Sequence, residues 1–371
     1  MNRRLRIGID AHAIGPGGTG NARFIANVIT QLQRSQNHDL VLYFTSSTAA
    51  KAWPASGAEV RVLRPATPLI RIPVGIPRAA RRDQLDVMLV QYSASARIPC
   101  PVVTVVHDVS FAAHPDFFSR TQRVWMPKTI PDTMRRAAAV ITVSEFSKSE
   151  IVKHYGVAKD RVVVAPDAPD VSLARAAEDR GDPPIEPPYF LALGTVETRK
   201  NIDVAIRALG LLRAQRPAAV RERLVVVGRD GYGAADIRRA AEDFGGVEFL
   251  GYAPDAQVAA LLSRATALVY PSRYEGFGLP VIEAMAAGTP ALVSDIPVMQ
   301  EIAGDAAVRL PPDDERAWAD AFEKIATDPG YRSGLVERGT ARARDFSWER
   351  TANVVLSVLE NAAGSESRRG P

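Results

Sequence analysis

The sequence predicts a two-domain α/β protein in which each domain is a doubly wound parallel sheet. The chain has 371 residues, which is too long for one ordinary hydrophobic core. Short apolar runs alternate with stretches of helical periodicity along the whole chain, as expected of strand–helix units. A segment rich in proline and acidic residues, 165–190, divides this alternation and is typical of a linker. We therefore predict two Rossmann-like domains facing each other across a cleft.

The predicted strands are short and almost continuously apolar. A strand of a parallel sheet is buried on both faces, so its sequence does not alternate between apolar and polar residues. The seven predicted strands of the first half are residues 5–9, 40–44, 60–63, 87–90, 102–106, 140–143 and 162–164. The five predicted strands of the second half are residues 190–193, 224–227, 247–250, 267–270 and 291–293.

Helices are predicted in the gaps between these strands. In the second half they include residues 202–212, 237–244, 256–263 and 316–326. A last helix, 347–362, has a single apolar face at helical spacing. This face is formed by Trp348, Ala352, Val355, Leu356 and Leu359. We assign residues 1–170 to a first domain and 186–346 to a second, and we expect residues 363–371 to be a disordered tail.

The composition is that of a soluble globular protein. Apolar residues make up 46% of the chain and charged residues 24%. The single cysteine, Cys100, excludes an intrachain disulfide framework and fits a reducing compartment. We find no signal peptide, and no apolar run approaches the roughly 20 residues of a membrane-spanning helix. We therefore expect a cytoplasmic protein.

The net charge of +4 conceals an asymmetry between the two halves. Residues 1–170 contain 22 Lys and Arg against 13 Asp and Glu, whereas residues 171–371 contain 24 against 29. A basic half and an acidic half indicate two domains with different partners. The aromatic residues of the basic half are scattered and show no nucleic-acid-binding signature, so we expect no nucleic acid partner. An anionic membrane surface or a phosphorylated ligand fits the basic half better.

The stretch SRYEGFGLPVIEAMAAGTP, residues 272–290, places a glycine-rich loop between a strand and a helix. We expect Pro280 to be the first residue of this helix and Gly288 to terminate it. Backbone amides beside glycines are open to close approach, and with the positive end of a helix dipole they favour a phosphate. The amides concerned belong to Gly276, Phe277, Gly278 and Leu279.

Two glutamates, Glu275 and Glu283, stand eight residues apart around this loop. We expect Glu275 at the rim of the anion site and Glu283 in the first turn of the helix. Because carboxylates repel phosphate, these two are better suited to accept hydrogen bonds from hydroxyls. One carboxylate would bind hydroxyls of a sugar and the other those of a ribose. This pattern indicates a nucleotide sugar. In the alternative, Glu283 stabilises the helix dipole and Glu275 is a solvated loop acid.

A second glycine-rich loop, GPGGTGNARF at residues 15–24, follows the first strand and opens a helix. Gly15, Gly17 and Gly20 satisfy the pattern G-x-G-x-x-G. The second strand, however, ends in hydroxyls rather than in the acid that a dinucleotide site requires. We therefore interpret this loop, which includes Gly18, as a phosphate cradle rather than an NAD site. A plain glycine turn is the alternative.

In GTVETRKNID, residues 194–203, two cations precede a helix whose expected cap is Asn201. Arg199 and Lys200 at this position oppose the helix dipole, so helix stability does not explain them. An anion held between them would explain their placement. A solvated pair is the alternative.

His107 and Asp108 follow a predicted buried strand in VVTVVHDVSF, residues 102–111. Open α/β sheets place ligand-contacting residues at this end of their strands. His107 is therefore a candidate for contact with the ligand, and a purely structural histidine is the alternative.

Several other kinds of site find no support in the sequence. It contains no Asp-x-Asp, no Cys/His cluster with metal-ligand spacing and no Gly-x-Ser-x-Gly nucleophile elbow. We therefore expect neither a metal nor a cofactor, and no acyl hydrolase activity.

Taken in order, these loops resemble the motif blocks of the retaining glycosyltransferases of family 4. The E-x7-E element of that family matches Glu275 and Glu283. The segments 142–151, 194–201 and 270–290 look like its other blocks. The closing FSW and its helix resemble the segment that crosses back to the first domain. The resemblance extends from the first strand to about Asn361 and implies a GT-B fold.

The resemblance implies roles for the residues around the donor diphosphate. Gly17 and Gly18 match the first-domain glycine loop that approaches the diphosphate. Arg199 and Lys200 match the basic pair that binds it, and the amides of residues 276–279 lie in the corresponding loop of the family.

Further roles concern the sugar and the ribose. His107 matches a residue near the donor sugar, Glu275 the acid near the hydroxyls of that sugar, and Glu283 the acid on the ribose. Many relatives have an aromatic and a basic residue just after the glycine loop, where this chain has Asn21 and Ala22. That region faces the acceptor, so the identity of the acceptor stays open.

The resemblance implies transfer of a hexose from a nucleotide diphosphate sugar to a hydroxyl with retention of the anomeric configuration. It is closest to bacterial mannosyltransferases of surface polysaccharide assembly. GDP-mannose is therefore the first expected donor, with UDP-glucose as an alternative, and a glycan or polyprenyl-linked glycan is the expected acceptor. The other classes considered are a GT-B nucleotide-sugar 2-epimerase and a catalytically silent nucleotide-binding module.

Two segments of the first half concentrate positive charge, residues 71–82 and 120–136. Their basic residues are Arg71, Arg78, Arg81, Arg82, Arg120, Arg123, Lys128, Arg135 and Arg136. Their apolar neighbours include Ile72, Val74, Ile76, Val124, Trp125 and Met126. One interpretation is peripheral docking on the anionic inner face of the cell membrane. Solvated surface charge is the other.

Overall fold

The computed structural model describes residues 3–15, 18–54, 56–117, 120–170 and 184–367, and it describes residues 120–125 and 365–367 by their backbone alone. The chain forms two compact units. The first consists of the residues up to Pro115, of Arg120–Asp167 and of the residues from Trp348 onward. The second consists chiefly of Ala168–Ser347. Each unit is built around its own parallel sheet.

The sheet of the first unit has seven strands. They are β1 (Arg6–Asp10), β2 (Asp39–Phe44), β3 (Ala58–Val62), β4 (Val87–Gln91), β5 (Val102–Val105), β6 (Ala139–Thr142) and β7 (Val162–Val164). Their order is β3-β2-β1-β4-β5-β6-β7, with Ile7 opposite Leu40 on one side and Val87 on the other. The strand order reverses between β1 and β4, and open α/β sheets bind ligands beside such a switch point.

The sheet of the second unit has six strands. They are β8 (Tyr189–Leu193), β9 (Arg223–Val227), β10 (Val247–Gly251), β11 (Ala267–Tyr270), β12 (Ala291–Ser294) and β13 (Val308–Leu310). Their order is β10-β9-β8-β11-β12-β13, so the switch point lies between β8 and β11. All twelve predicted strands are present. The edge strand β13 was missed because it has three residues with the exposed Arg309 at its centre.

Helices connect the strands in both units. Those of the first unit are α1 (Gly20–Ser35), α2 (Ser47–Ala52), α3 (Pro68–Ile70), α4 (Ile76–Arg82), α5 (Ser110–Ala113), α6 (Arg120–Arg136) and α7 (Glu145–Tyr155). Those of the second are α8 (Ile202–Gln215), α9 (Ala234–Phe244), α10 (Asp255–Arg264), α11 (Leu279–Ala286), α12 (Pro297–Ile302), α13 (Glu315–Thr327) and α14 (Pro329–Ala343). The four helices predicted for the second half are all present.

The last helix, α15 (Trp348–Ser367), is part of the first unit and packs against α1. The Trp348 ring meets that of Phe24 edge-on at 6.1 Å between centroids. Thr351 Oγ1 donates a hydrogen bond of 2.5 Å to the carbonyl of Pro166. The helix includes residues 363–367, which the sequence analysis assigned to a disordered tail, and residues 368–371 lie outside the described residues.

In the core of the second unit, aromatic side chains pack helix α13 against the sheet. Trp318 and Phe322, one turn apart on α13, are fully buried, and Phe322 stacks on Phe190 of β8 with 4.6 Å between ring centroids. Aromatic pairs in this geometry add about 0.5–1.5 kcal/mol beyond the area that they bury. The packing fixes β8, whose carboxyl end leads into the candidate site.

In the part of the chain that the structure describes, no helix combines the length and the apolar composition of a membrane-spanning segment.

Candidate functional site

The candidate site is assembled where β8 and β11 end. These strands are neighbours in register, with Leu191 opposite Leu268, so the loops after them leave the same edge of the sheet. The amide of Arg273 donates to the carbonyl of Arg199 at 3.0 Å. Asn201 Nδ2 donates to the carbonyl of Pro271 at 3.1 Å. Two motifs about 75 residues apart in sequence are therefore joined through their backbones.

Asn201 is the N-cap residue of α8, as predicted, but its side chain makes no hydrogen bond to the first turn of the helix. Its φ of +54° is left-handed, and its side-chain amide is used to hold the loops after β11 and β13. Arg199 and Lys200 lie in a short 3₁₀ turn, Thr198–Lys200, immediately before it. The turn points both cations at the neighbouring loop.

Lys200 forms a buried ion pair with Glu275. Its Nζ lies 2.6 Å from Glu275 Oε1 and donates a second hydrogen bond of 2.8 Å to the hydroxyl of Tyr270. Lys200 is 9% exposed and Glu275 is 6% exposed. Gly194 begins the loop that carries Lys200, and its φ of +125° is a conformation that favours glycine.

Arg199 contacts the same carboxylate from the other side. Its Nη1 lies 3.0 Å from Glu275 Oε2 and donates to the carbonyl of Tyr274 at 2.9 Å. Its Nη2 lies 2.7 Å from Glu197 Oε1. Each oxygen of Glu275 therefore accepts from a different cation. The anion predicted to lie between Arg199 and Lys200 is, in this structure, the carboxylate of Glu275.

Burial and neighbouring charges shift the pKa values of Glu275, Lys200 and Tyr270. Burial alone would raise the pKa of Glu275, but Arg199 and Lys200 outweigh it and lower the pKa to about 2. Burial lowers the pKa of Lys200, and Glu275 opposes that shift. Burial raises the pKa of Tyr270, so its hydroxyl stays protonated. Glu275 is ionised at neutral pH because two cations hold it.

Glu283 lies one residue further into its helix than predicted. Helix α11 begins at Leu279 rather than at Pro280, so Glu283 is its fifth residue and belongs to the second turn. It is buried, with 2% of its surface exposed. The helix starts after Gly278, whose φ of +100° favours glycine. A Cβ on Gly278 would also lie 2.4 Å from Met299 Cε.

The side chains of Phe277 and Leu279 anchor the glycine-rich loop before and at the start of α11. Phe277 and Leu279 are buried, and the ring of Phe277 meets that of Phe346 edge-on at 5.5 Å. These side chains point into the protein. A ligand would therefore contact Phe277 and Leu279 through their backbone, the same part of these residues that the prediction for 276–279 uses.

In the first unit, His107 follows β5 and is buried among aromatic rings. Its ring lies edge-on to Phe24 at 5.1 Å and near Tyr92 at 5.9 Å. Its Nε2 is 3.2 Å from Gln91 Oε1, at the end of the neighbouring strand β4. Burial lowers the pKa of His107 to about 4, although Asp108 opposes the shift. The imidazole is therefore neutral at physiological pH.

The glycine loop before α1 is only partly described, because Gly17 lies outside the described residues. Gly18 is described, and a Cβ added there would meet only the Cβ of Ala22, at 3.7 Å. Packing within the protein therefore leaves room for a side chain at position 18.

A buried cluster in the first unit was missed. Asp10, the last residue of β1, lies 2.6 Å from Arg71 Nη1 and 3.1 Å from His12 Nδ1. Burial would raise the pKa of Asp10, but His12 and Arg71 lower it. Arg71 is 4% exposed, and Ile76 is buried as well, so neither belongs to the basic surface proposed from sequence. The position of Asp10 at the carboxyl end of a strand could have marked it as a candidate site residue. No feature of the sequence indicated that Arg71, 61 residues away, is its partner.

Among the described residues, no group of three or more His, Cys, Asp or Glu side chains is arranged to hold a metal ion.

Comparison with known proteins identifies the class to which this fold belongs. The family described as Glycosyltransferase Family 4 matches residues 18–173, and the family described as Glycosyl transferases group 1 matches residues 175–342. The structure of sucrose-phosphate synthase from Thermosynechococcus elongatus has a TM-score of 0.77 at 21% identity, covering 98% of this chain and 100% of that one. Fold and families together define a GT-B glycosyltransferase.

Two relatives are similar over large parts of the chain. O-antigen chain mannosyltransferase B of Escherichia coli is 32% identical over 267 residues, 70% of this chain and 70% of that protein. O-antigen chain mannosyltransferase RfbU of Salmonella typhimurium is 33% identical over 228 residues, 60% of each. The chain belongs to the group 1 glycosyltransferases, with a first domain of family 4. The predicted fold, enzyme class and family are confirmed.

Proposed function

We propose that this glycosyltransferase transfers mannose from GDP-mannose to a glycan acceptor of surface polysaccharide, with retention of anomeric configuration. The observation that carries the proposal is the convergence of Arg199, Lys200 and Glu275 at the switch point of the second sheet. The relatives named as O-antigen mannosyltransferases support mannose as the sugar. UDP-glucose is the alternative donor to test.

In the proposed reaction, the bond between the sugar and the diphosphate breaks while negative charge grows on the diphosphate. Lys200 and Arg199 stabilise this charge, together with the backbone amides of residues 276–279. Fixed cations and dipoles in a buried site are worth more than in water because they need no reorganisation. The acceptor hydroxyl attacks from the face that the diphosphate leaves, and the departing phosphate oxygen takes the acceptor's proton.

The other predicted site residues bind the rest of the donor. Glu283 accepts hydrogen bonds from the ribose, and Glu275 accepts them from hydroxyls of the sugar. His107 and the glycine loop with Gly17 and Gly18 approach the donor from the first unit. These roles follow from the family resemblance, and the burial of Glu283 and the neutral state of His107 are compatible with them.

The proposed chemistry requires no metal and no cofactor. Two buried or half-buried cations supply positive charge where a metal ion would otherwise do so. The sequence contains no Asp-x-Asp motif, whose carboxylates could bind a hard cation such as magnesium.

We also propose that the acceptor is linked to a polyprenyl lipid and that the first unit docks peripherally on the inner, anionic face of the cell membrane. Arg78, Arg81 and Arg82 are exposed on α4. Shortly before them, Leu69 is 78% exposed and Ile70 46% exposed. Basic residues near an anionic leaflet contribute about 1 kcal/mol each, and exposed apolar side chains add shallow insertion.

Sedimentation with vesicles tests the membrane proposal. Binding to anionic vesicles is expected to weaken with salt and with the triple substitution Arg78→Ser, Arg81→Ser, Arg82→Ser. The pair Arg238→Ser, Arg239→Ser on the second unit serves as the control and should leave binding unchanged. Equal partitioning onto neutral and anionic vesicles, or none at all, would contradict electrostatic docking and favour a soluble acceptor.

Thermal stabilisation and product analysis test the donor and the reaction. A ligand that binds only the folded state raises its stability, so GDP-mannose is expected to raise Tm more than UDP-glucose. With a glycan acceptor the product carries one more hexose, and without an acceptor no epimerised sugar appears. Stabilisation by neither nucleotide sugar, or release of an epimer, would contradict the proposal.

A further inference from the structure

The buried cluster of Asp10, His12 and Arg71 has no part in the proposed mechanism. Asp10 ends β1 beside the switch point between β1 and β4, where open α/β sheets bind ligands. The carboxylate is 1% exposed, and Arg71 Nη1 lies 2.6 Å from its Oδ2. The guanidinium balances the charge of the carboxylate. The ion pair therefore needs no second cation, and His12 is available for another role.

Asp10 holds His12 in one orientation. Its Oδ1 accepts from the backbone amide of His12 at 3.3 Å, and its Oδ2 lies 3.1 Å from the ring atom Nδ1. From the other side, Thr45 Oγ1 donates to the carbonyl of His12 at 3.3 Å. The residue is thus fixed at its backbone and at one edge of its ring.

The carboxylate also decides which ring nitrogen of His12 carries the proton. An ionised carboxylate only accepts hydrogen bonds, so Nδ1 carries the proton and Nε2 keeps a lone pair. Nδ1 is buried, whereas 32% of the His12 side chain is exposed. The accessible part of the ring is therefore the opposite edge, which carries Nε2. His12 presents a hydrogen-bond acceptor at the carboxyl edge of the first sheet.

This geometry defines the ligand by its chemistry. A lone pair recognises a group that donates a hydrogen bond, such as a hydroxyl, and an ionised diphosphate has no such group to offer. The proposed function assigns the hydroxyls of the donor sugar and of the ribose to Glu275 and Glu283. The hydroxyls that lack a binding residue are those of the acceptor.

We propose that His12 binds a hydroxyl of the acceptor glycan through Nε2 and that Asp10 positions its ring. The proposal rests on the proposed function and names an acceptor-binding residue for it. His12 takes no proton in the reaction. Its hydrogen bond holds the glycan, and the departing phosphate oxygen still takes the proton of the attacking hydroxyl. Arg71 supplies the counter-charge of Asp10. In the Ser-His-Asp triad a buried carboxylate likewise fixes the tautomer of an imidazole that faces the substrate.

Two substitutions of similar length separate hydrogen bonding from packing. His12→Leu removes the lone pair, whereas His12→Gln offers an amide oxygen near the position of Nε2. His154→Leu is the matched control. The His154 side chain is 27% exposed, and its Nε2 lies 3.2 Å from Glu150 Oε2 in the same unit. Both histidines are partly exposed, so these variants are expected to fold.

The rate of transfer from saturating GDP-mannose to a polyprenyl-linked glycan is the first measurement. His12→Leu should raise KM for the glycan at least ~5-fold, because a hydroxyl that loses its partner binds less well. His12→Gln and His154→Leu should stay within about twofold of wild type. Calorimetric titration with GDP-mannose should give the same Kd for all four proteins within about twofold, since His12 contacts the acceptor alone.

The nitrogen-15 magnetic resonance spectrum of labelled histidine is the second measurement. The signals of His12 are those absent from His12→Leu, and in wild type they should show a proton on Nδ1 and none on Nε2. The double variant Asp10→Leu/Arg71→Met removes both charges of the buried pair together. It should lose this tautomer preference and raise KM for the glycan as His12→Leu does.

The two measurements distinguish failure of this role from failure of the proposed function. A wild-type KM for the glycan in His12→Leu, or a proton on Nε2 in wild type, would overturn the role of His12 while transfer of mannose stands. A wild-type tautomer preference in the folded double variant would overturn the positioning role of Asp10. If wild type transfers no hexose from GDP-mannose, the proposed function fails and the role of His12 fails with it.

Discussion

At the scale of single residues, Lys200 is one of the two cations proposed to stabilise the charge that develops on the diphosphate. We predict that Lys200→Ala lowers turnover more than ~10-fold, because removal of one group aimed at developing charge commonly costs a few kcal/mol. The control is Lys324→Ala, an exposed lysine of the same unit that is expected to leave turnover unchanged. Turnover within twofold of wild type, in a variant with an unchanged circular dichroism spectrum, would contradict this role.

Because the pKa of Glu275 is lowered in the folded protein, we predict that the free energy of unfolding falls in acid. A carboxyl group whose pKa is lower in the folded state stabilises the fold above its unfolded pKa. That stability is lost as the pH falls toward the folded pKa, here from about 4.5 to about 2. Ionised Glu275 therefore favours the folded state at neutral pH, and this contribution disappears in acid.

Urea unfolding of wild type and Glu275→Gln at pH 7 and pH 3 measures this contribution. The free-energy difference between the two proteins should be largest at pH 7 and shrink at pH 3. The comparison cancels other titrating groups, including His107, whose lowered pKa also destabilises the fold in acid. A difference independent of pH would show that Glu275 is not held ionised by its neighbours.

At the scale of elements, the start of α11 depends on the backbone of Gly278. We predict that Gly278→Ala lowers the free energy of unfolding by about 1–3 kcal/mol, because a φ of +100° is strained for any residue with a Cβ. Contact with Met299 adds to this cost. Gly364→Ala is the control, since nothing lies within 4 Å of its added Cβ inside α15. That substitution should stabilise by about 0.5–1 kcal/mol, and equal effects of both would refute the strain.

Most strands and helices could be predicted because their signals are local. Buried parallel strands appear as apolar runs, and β13 was missed because its three residues include a charged one. The predicted position of Glu283 in its helix was off by one residue, because the helix begins at Leu279 rather than at Pro280, a detail of backbone geometry that no residue type specifies.

The contacts of the site could be predicted only in part. The end of a strand marked His107 as a candidate, the glycine-rich loop marked Glu275, and the start of a helix marked the two cations. The direct pairing of Lys200 with Glu275 joins residues 75 positions apart, and it depends on packing that one sequence does not display. The pairing of Asp10 with Arg71 escaped prediction for the same reason.

At the scale of the whole molecule, the chemistry proposed here is electrostatic and independent of metal. We predict that activity is unchanged in excess EDTA, because Arg199 and Lys200 supply the positive charge that a divalent ion would otherwise provide. The measurement is the rate of hexose transfer before and after chelation. Complete loss of activity that magnesium or manganese restores would reveal a metal site that the cations do not replace.

The central claim is that the enzyme moves mannose from GDP-mannose to its acceptor with retention. The most direct measurement is the nuclear magnetic resonance spectrum of the anomeric carbon and proton in the product formed from GDP-α-mannose and a polyprenyl-linked glycan. An α-mannosyl linkage is predicted, because the acceptor attacks the face that the diphosphate leaves. A β-mannosyl linkage, or no transfer from GDP-mannose to any glycan offered, would contradict it.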